Sequence, residues 1–328
     1  MTGERVVVAM SGGVDSSVTA ALLAERGYEV IGLTLRLISC DDPGTRGSCC
    51  DVDAVAGARA VAGSLGAPHY VVDVEQEFDR AVLRPAWDEY DRGRTPNPCV
   101  LCNARIKWTA LLRHADSFGA HLVATGHHAR IVTGDGPAQL HRGVDPRKDQ
   151  SYFLFRLTPE QLARTLLPVG EVTKDEVRAV ARSLGLATAE REESQDACLA
   201  AAEGGFAEAL RRRFDGDARP GALLDDRERE VGRHPGVHRF TIGQRRGLGV
   251  ALGRPAFVRE IDGTRVRLTT DEARLAAPGL VVADTRWLVA QAPQFADRVL
   301  VQSRYRQRPV AAHVEASEGG RTRVRFDR

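Results

Sequence analysis

An apolar, β-branched run over residues 5–10 gives way to glycines and then to Val18, Ala21 and Leu22 at helical spacing, which predicts a strand, a loop and a helix in succession. Runs at 29–38, 70–74 and 121–125 read as further strands, and 52–65 reads as a helix. Such alternation predicts an α/β fold with a parallel sheet covered by helices on both faces. Thr173 and Glu176 have the spacing of a capping box; Val177, Val180, Ala181 and Leu184 follow at helical intervals, and Gly185 supplies the stop. The α/β layer therefore extends to about residue 200. Beyond Gly204-Gly205 the pattern changes to short alternating runs such as Arg265–Leu268 and Arg323–Phe326, the signature of small β-rich domains. The expected domains are 1–204, 205–276 and 277–328.

A length of 328 residues suits two or three domains. The near balance of charge at +2, the lack of a long apolar run and the lack of a signal-type amino terminus predict a soluble cytoplasmic protein with no membrane partner. Cationic side chains are almost all arginine, Lys107, Lys148 and Lys174 being the only lysines. Residues 301–328 carry seven arginines against Glu315, Glu318 and Asp327, a surface suited to an acidic partner such as RNA. Six cysteines, at 40, 49, 50, 99, 102 and 198, point to redox, metal or nucleophilic roles rather than structural disulfides.

The segment Ser11-Gly12-Gly13-Val14-Asp15-Ser16 lies between the first strand and the first helix, where glycines allow close backbone approach and a helix amino terminus attracts an anion. Phosphate is the natural ligand, and neither the Walker pattern nor GxGxxG is present. The hexapeptide resembles the signature of PP-loop ATP pyrophosphatases, which implies cleavage of ATP between its α and β phosphates, adenylation of an oxygen, and assistance by magnesium. A plain glycine turn closing onto a helix is the less specific reading.

Adenylation of a carbonyl oxygen is productive when a nucleophile then displaces AMP, and sulfur is the candidate. Thr95-Pro96-Asn97-Pro98-Cys99-Val100-Leu101-Cys102-Asn103 precedes a helical pattern with Ile106, Leu111 and Leu112, so Asn103 is expected to cap that helix and a thiol at its start to be favoured as thiolate. Alone, Cys198 reads as a small buried hydrophobe, and Cys99 with Cys102 as a zinc half-site or redox pair for which no second CxxC exists.

The ordered motifs narrow this. The hexapeptide, T-P-N-P-x-x-x-C-N, A-T-G-H-H-A-R (124–130), K-D-Q-S-Y-F-L (148–154), Ser194–Cys198, T-I-G-Q-R-R-G-L-G (241–249) and S-R-Y-R (303–306) together resemble the bacterial tRNA-uridine 2-sulfurtransferase (2-thiouridylase) family from the first strand to the chain's end. The resemblance implies a nucleophile at Cys102 and a persulfide at Cys198. It implies ATP contacts at Ala9, Met10, Ser11, Gly12, Gly13, Val14, Asp15, Ser16, Leu35 and Gly126. Contacts to a flipped uridine would fall on Asn97, Pro98 and Cys99, and other tRNA contacts on His127, Lys148, Asp149, Gln150, Arg304 and Tyr305. It further implies the anticodon stem-loops of Lys, Glu and Gln tRNAs as substrates, a cysteine desulfurase or small sulfur carrier as donor, and a tRNA-facing β-barrel at 277–328.

Three features depart from the family pattern. Cys99 stands where some relatives have aspartate, Leu35 where methionine is common, and the chain stops at Arg328 where relatives continue, so the barrel is expected to be incomplete. Cys99, Cys102 and Cys198 also form a ligand set for an iron–sulfur cluster, ranked below a persulfide relay. Two rival functions are a PP-loop ligase that uses nitrogen and a tRNA-binding protein that has lost its activity. Arg211–Arg213 are expected to form a solvated face, and the tryptophans to pack.

Overall fold

The computed structural model describes residues 3–39, 52–191, 203–289, 293–295 and 297–327. The chain divides into two compact units, one of residues 1–90 and 95–216, the other of 91–94 and 217–328.

In the first unit, β1 (Arg5–Ala9), β2 (Glu29–Arg36), β3 (His69–Asp73), β4 (Leu122–Ala124) and β7 (Thr165–Leu166) form a parallel sheet in the order β3-β2-β1-β4-β7. Val6, Val7 and Val8 of β1 are all fully buried, so alternate side chains are covered on both faces, as the unbroken apolar run requires. Val6 and Val8 pack in one cluster with Val18 and Ala21 of α1 (Val14–Glu25), Ala58 and Val61 of α2 (Val52–Ser64), and Val177 and Ala181 of α8 (Lys174–Ser183). The expected parallel α/β layer, its first strands and the Thr173–Glu176 capping box are all present.

A second cluster is built from longer helical runs. α3 (Glu75–Phe78) continues through a π-helical turn at Asp79–Leu83 into α4 (Arg84–Asp91). α5 (Pro98–Leu101) continues through a π-helical stretch at Cys102–Lys107 into α6 (Trp108–Ser117), which packs on β1 and β4. Phe78, Trp87, Cys102, Ile106 and Leu210 of α9 (Phe206–Arg213) share this cluster. Trp87 and Trp108 are buried packing residues, as expected. Of the three arginines expected to form a solvated face, Arg212 is exposed, whereas Arg211 pairs with Glu208 and Arg213 bridges Asp79 and Glu75, both half-buried. Between β4 and β7 lie the hairpin β5 (Ala129–Val132) and β6 (Gln139–Arg142) and the short helix α7 (Pro159–Ala163).

The second unit contains two four-stranded sheets. The first joins β8 (Gly221–Leu224), β9 (Glu230–His234), β10 (Phe257–Asp262) and β11 (Arg265–Thr269) in the order β10-β11-β8-β9 around Leu223, Val258, Val266 and Leu268. The other joins β12 (Gly279–Ala283), β13 (Arg298–Val301), β14 (Val310–Glu318) and β15 (Arg321–Phe326) in the order β12-β15-β14-β13 around Ala312, Val314 and Val324. The expected strands at 265–268 and 323–326 are parts of β11 and β15.

Candidate active site

The sheet order places a topological switch between β1, whose successors run outward on one side, and β4, which begins the other side. Ligands of open parallel sheets bind at such points, beyond the carboxyl ends of the strands. There, Met10–Gly13 follows β1 and Thr125–His128 follows β4.

The first loop is shaped by absent side chains. Gly12 has φ +73°, and a Cβ there would lie 2.0 Å from the Ala54 carbonyl oxygen in the first turn of α2. At Gly126 a Cβ would lie 2.7 Å from the Ser16 nitrogen, so the turn after β4 closes directly onto the start of α1. No side chain caps α1, whose N-cap residue is Gly13. Ser16 Oγ accepts from the Ser11 amide at 3.2 Å and donates to the Gly13 carbonyl at 3.0 Å. Backbone donors, small hydroxyls and the positive end of a helix thus converge, a set that fits the phosphates of ATP. Among the ATP-contact residues expected from sequence, Met10, Val14 and Ser16 are buried, while Leu35 is half-buried beside the second cluster.

Asp15 is the electrostatic centre of the loop. Lys174 Nζ donates to both carboxylate oxygens at 2.7 Å, and His128 Nε2 lies 3.0 Å from Oδ1. Burial by itself raises the Asp15 carboxyl; the His128 hydrogen bond and the Lys174 charge outweigh it and hold the group below its ordinary value. Lys174 is itself buried, so its desolvation is offset by this pairing. Its backbone is aimed from two sides. Thr173 and Glu176 complete the capping box of α8, and the Lys174 amide donates to Asp145 at 3.3 Å. Hydrogen bonds from Arg147 draw the Asp145 carboxyl down to about 2, so that acceptor stays ionised.

A line of hydrogen bonds leads from the loop to the cysteines. The His128 amide donates to Gln150 Oε1 at 2.9 Å, and the Gln150 amide returns to the His128 carbonyl at 2.8 Å. Three residues on, the Phe153 carbonyl accepts from Asn103 Nδ2 at 3.0 Å. Asn103 adjoins Cys102, which opens the π-helical stretch before α6. Such insertions re-aim side chains and recur at functional sites.

Two expectations for this segment need correction. Asn103 caps nothing: the helix already begins at Pro98, with Asn97 in the N-cap position, and Asn103 is buried within it. The thiol in the first turn is therefore Cys99, and it is not favoured as thiolate. Burial pushes it up, against the pull of the Lys107 ammonium.

Two family models match the chain: one described as the tRNA methyl transferase HUP domain over residues 4–202, the other as the tRNA methyl transferase PRC-barrel domain over 213–269. The tRNA-specific 2-thiouridylase MnmA of Geobacter metallireducens is 46% identical over 330 residues, spanning 98% of this chain and 89% of that protein. Its counterpart in Carboxydothermus hydrogenoformans is 43% identical over 333 residues, spanning 99% and 90%. The chain belongs to the tRNA-specific 2-thiouridylase family.

Within this 2-thiouridylase framework, the other residues singled out from sequence have distinct surroundings. Asp149 is used internally, accepting from the Gly143 and Ser151 amides and the Ser151 hydroxyl. Asn97, Pro98 and Lys148 are half-buried in the first unit. In the second unit, Arg304 Nη2 donates to the Ile242 carbonyl at 3.1 Å, bringing the motifs at 241–249 and 303–306 together; Tyr305 is exposed there, with the Arg306 guanidinium 5.4 Å from its ring centre. Cys198, Cys40, Cys49 and Cys50 lie outside the described residues. Among the described residues, no group of three or more His, Cys, Asp or Glu is disposed to hold a metal, and no helix is long and apolar enough to cross a membrane.

His128, Lys174, Asp145 and Lys107 were given no role at the site from sequence, although His128 stands in the 124–130 motif and the two lysines were singled out by their rarity. One signal was available. In a chain whose cations are nearly all arginine, Lys174 meets Asp15 and Lys107 acts on both Cys99 and His127. An ammonium is a compact point charge that a planar guanidinium does not replace.

His127 bonds Thr125 Oγ1 through Nδ1 at 2.8 Å, beside Trp108. Burial, aided by Lys107, pushes it down to about 3. The unfolded chain therefore takes up a proton near the ordinary histidine value of 6.5 that the folded chain refuses until about 3. Stability from this group is complete above 6.5 and declines as pH falls toward 3. Urea midpoints measured from pH 7.5 to 5 are expected to fall less steeply for His127→Gln than for the parent chain; equal slopes would remove His127 as the cause.

Proposed function

We propose that the chain is an ATP-dependent tRNA-uridine 2-sulfurtransferase whose phosphate loop adenylates the C2 oxygen of a wobble uridine and whose cysteines replace that oxygen with sulfur. The observation that carries this reading is the hydrogen-bonded line Asp15–His128–Gln150, continued by Phe153–Asn103 to Cys102, which joins a phosphate-type loop to a thiol. A urea-like oxygen is a poor leaving group until it becomes part of AMP, and a persulfide is a strong nucleophile near neutral pH.

The uridine oxygen attacks the α-phosphorus of ATP and pyrophosphate leaves. Loop amides and the start of α1 hold the phosphates, while Lys174 and His128 keep Asp15 ionised and fixed. Magnesium, when bound, would neutralise phosphate charge with a shell of phosphate and water, because both Asp15 oxygens are engaged by Lys174 and His128. The outer sulfur of a Cys198 persulfide attacks C2, and AMP departs with the former carbonyl oxygen. The Cys102 thiolate then attacks the Cys198 sulfur, forming a Cys102–Cys198 disulfide and leaving the other sulfur on the base. An external thiol reduces the disulfide. Asn97, Pro98 and Cys99 would receive the extruded base, which must leave its stack to react. His127, Lys148, Asp149, Gln150, Arg304 and Tyr305 would face the rest of the RNA, in anticodon stem-loops of the Lys, Glu and Gln type, with a cysteine desulfurase or small sulfur carrier as donor.

The test is thiolation of a tRNA transcript with ATP and a persulfide donor. Asp15→Ala is expected to stop pyrophosphate release while leaving the thiols reactive to alkylation; Cys198→Ser is expected to stop thiolation while AMP formation continues. Full thiolation by Cys198→Ser would sink the persulfide assignment, and undiminished pyrophosphate release by Asp15→Ala would remove the loop from the mechanism.

A further inference from the structure

The turn that links Gln150 to Asn103 carries aromatic residues that the chemistry above does not use. Leu154 and Leu157 root it in the interior at 0% and 1% exposure, whereas Phe155 between them is 50% exposed. Tyr152 meets Phe155 edge-on, with ring centres 5.8 Å apart and planes at 67°, and meets Phe153 in the same manner at 5.8 Å and 89°. Lys148 and Arg156 bring positive charge to the same short segment. Packing does not require this arrangement, because the turn is already anchored by its leucines and a half-exposed phenylalanine leaves apolar surface in water.

We propose that Phe155, supported by Tyr152, is a stacking platform for an RNA base next to the uridine taken into the site. This rests on the reading of the chain as a tRNA thiolase. Extruding one base from an anticodon loop leaves its neighbour without a stacking partner, and an aromatic face can take the vacant place. The location is suitable: the turn's own backbone holds Asn103 beside Cys102 on one side and His128 beside the phosphate loop on the other. Aromatic rings flanked by cations are the combination that single-stranded nucleic acid uses, the rings contacting bases and the charges contacting phosphates.

The test uses the full chain and two anticodon stem-loop RNAs, each with 2-aminopurine on one side of the wobble uridine. Binding to the parent chain is expected to quench one of the two probes. Phe155→Ala should weaken RNA binding about 5- to 150-fold, the range seen when a base-stacking aromatic is truncated, and abolish the quenching. ATP affinity and thermal midpoint should not change. Phe155→Trp should retain affinity and quenching, and Phe155→Leu should behave as alanine does. Restoration by leucine, or unchanged affinity and quenching in Phe155→Ala, would overturn the platform. So would a Phe155→Ala chain that binds RNA normally and is slowed only when a donor protein supplies the sulfur, because the ring would then face protein. Failure of the parent chain to bind or thiolate tRNA would remove the underlying reading, and the platform with it.

Discussion

Lys174→Met is expected to cost about 3 kcal/mol of folding stability, the low end of the usual penalty for removing one partner of a buried ion pair, because His128 still bonds the abandoned carboxylate. Here the abandoned group is Asp15, which accepts two 2.7 Å hydrogen bonds from the lysine. A urea titration of the first unit's fluorescence would measure the loss. The informative control is Asp15→Asn in the same chain: with both charges gone, most of the stability should return, while ATP binding should not. If the double variant is no more stable than Lys174→Met, the pair is not what holds the site. Lys174→Arg is expected to rescue poorly although arginine is the common cation elsewhere in the chain, because a buried site shaped to an ammonium leaves no room for a planar fork.

Cys102→Ser is expected to lower single-turnover thiolation from a preloaded persulfide, with no external thiol added, by on the order of 10³-fold or more, as removal of a covalent participant does. The nature of the block is more specific than its size. Without the Cys102 sulfur, the chain should arrest with the base joined to Cys198 through a disulfide. A protein–RNA adduct should then appear on a denaturing gel, and a small thiol should release it as thiolated RNA. Serine is close in size to cysteine, so the buried position should tolerate it. A wild-type single-turnover rate in this variant would exclude Cys102 from sulfur release.

What the sequence disclosed depended on how local each determinant was. The strand, loop and helix over 5–25 were legible because their apolar spacing and glycines are contiguous, and the Thr173–Glu176 box because its two bonds span three residues. The start of the cysteine helix was misplaced at Asn103, although a local sign was present: Pro98 after Asn97 is the arrangement favoured at a first helical position. Other determinants left no local trace. The π-helical stretch at 102–107 preserves an apolar pattern close to that of an ordinary helix, and β7 is two residues long. Lys174 looked like any polar residue in a first helical turn, because its burial is decided by a carboxylate 159 positions earlier. The pattern of residues at the candidate site was recognisable through its motifs; the rarity of lysine marked Lys107 and Lys174, but which groups they meet was visible only in three dimensions.

That separation of 159 residues has a consequence during synthesis. At roughly 5–20 residues per second, Asp15 is made about 8–30 s before the lysine that will neutralise it. Until then, closing the first strand and helix around the loop would bury a carboxylate with no counter-charge, and β7 at 165–166 has not yet been added to the sheet's edge. The nascent chain is thus expected to carry its phosphate loop open to solvent until residue 174 has been made, with the pocket among the later parts of the first unit to close.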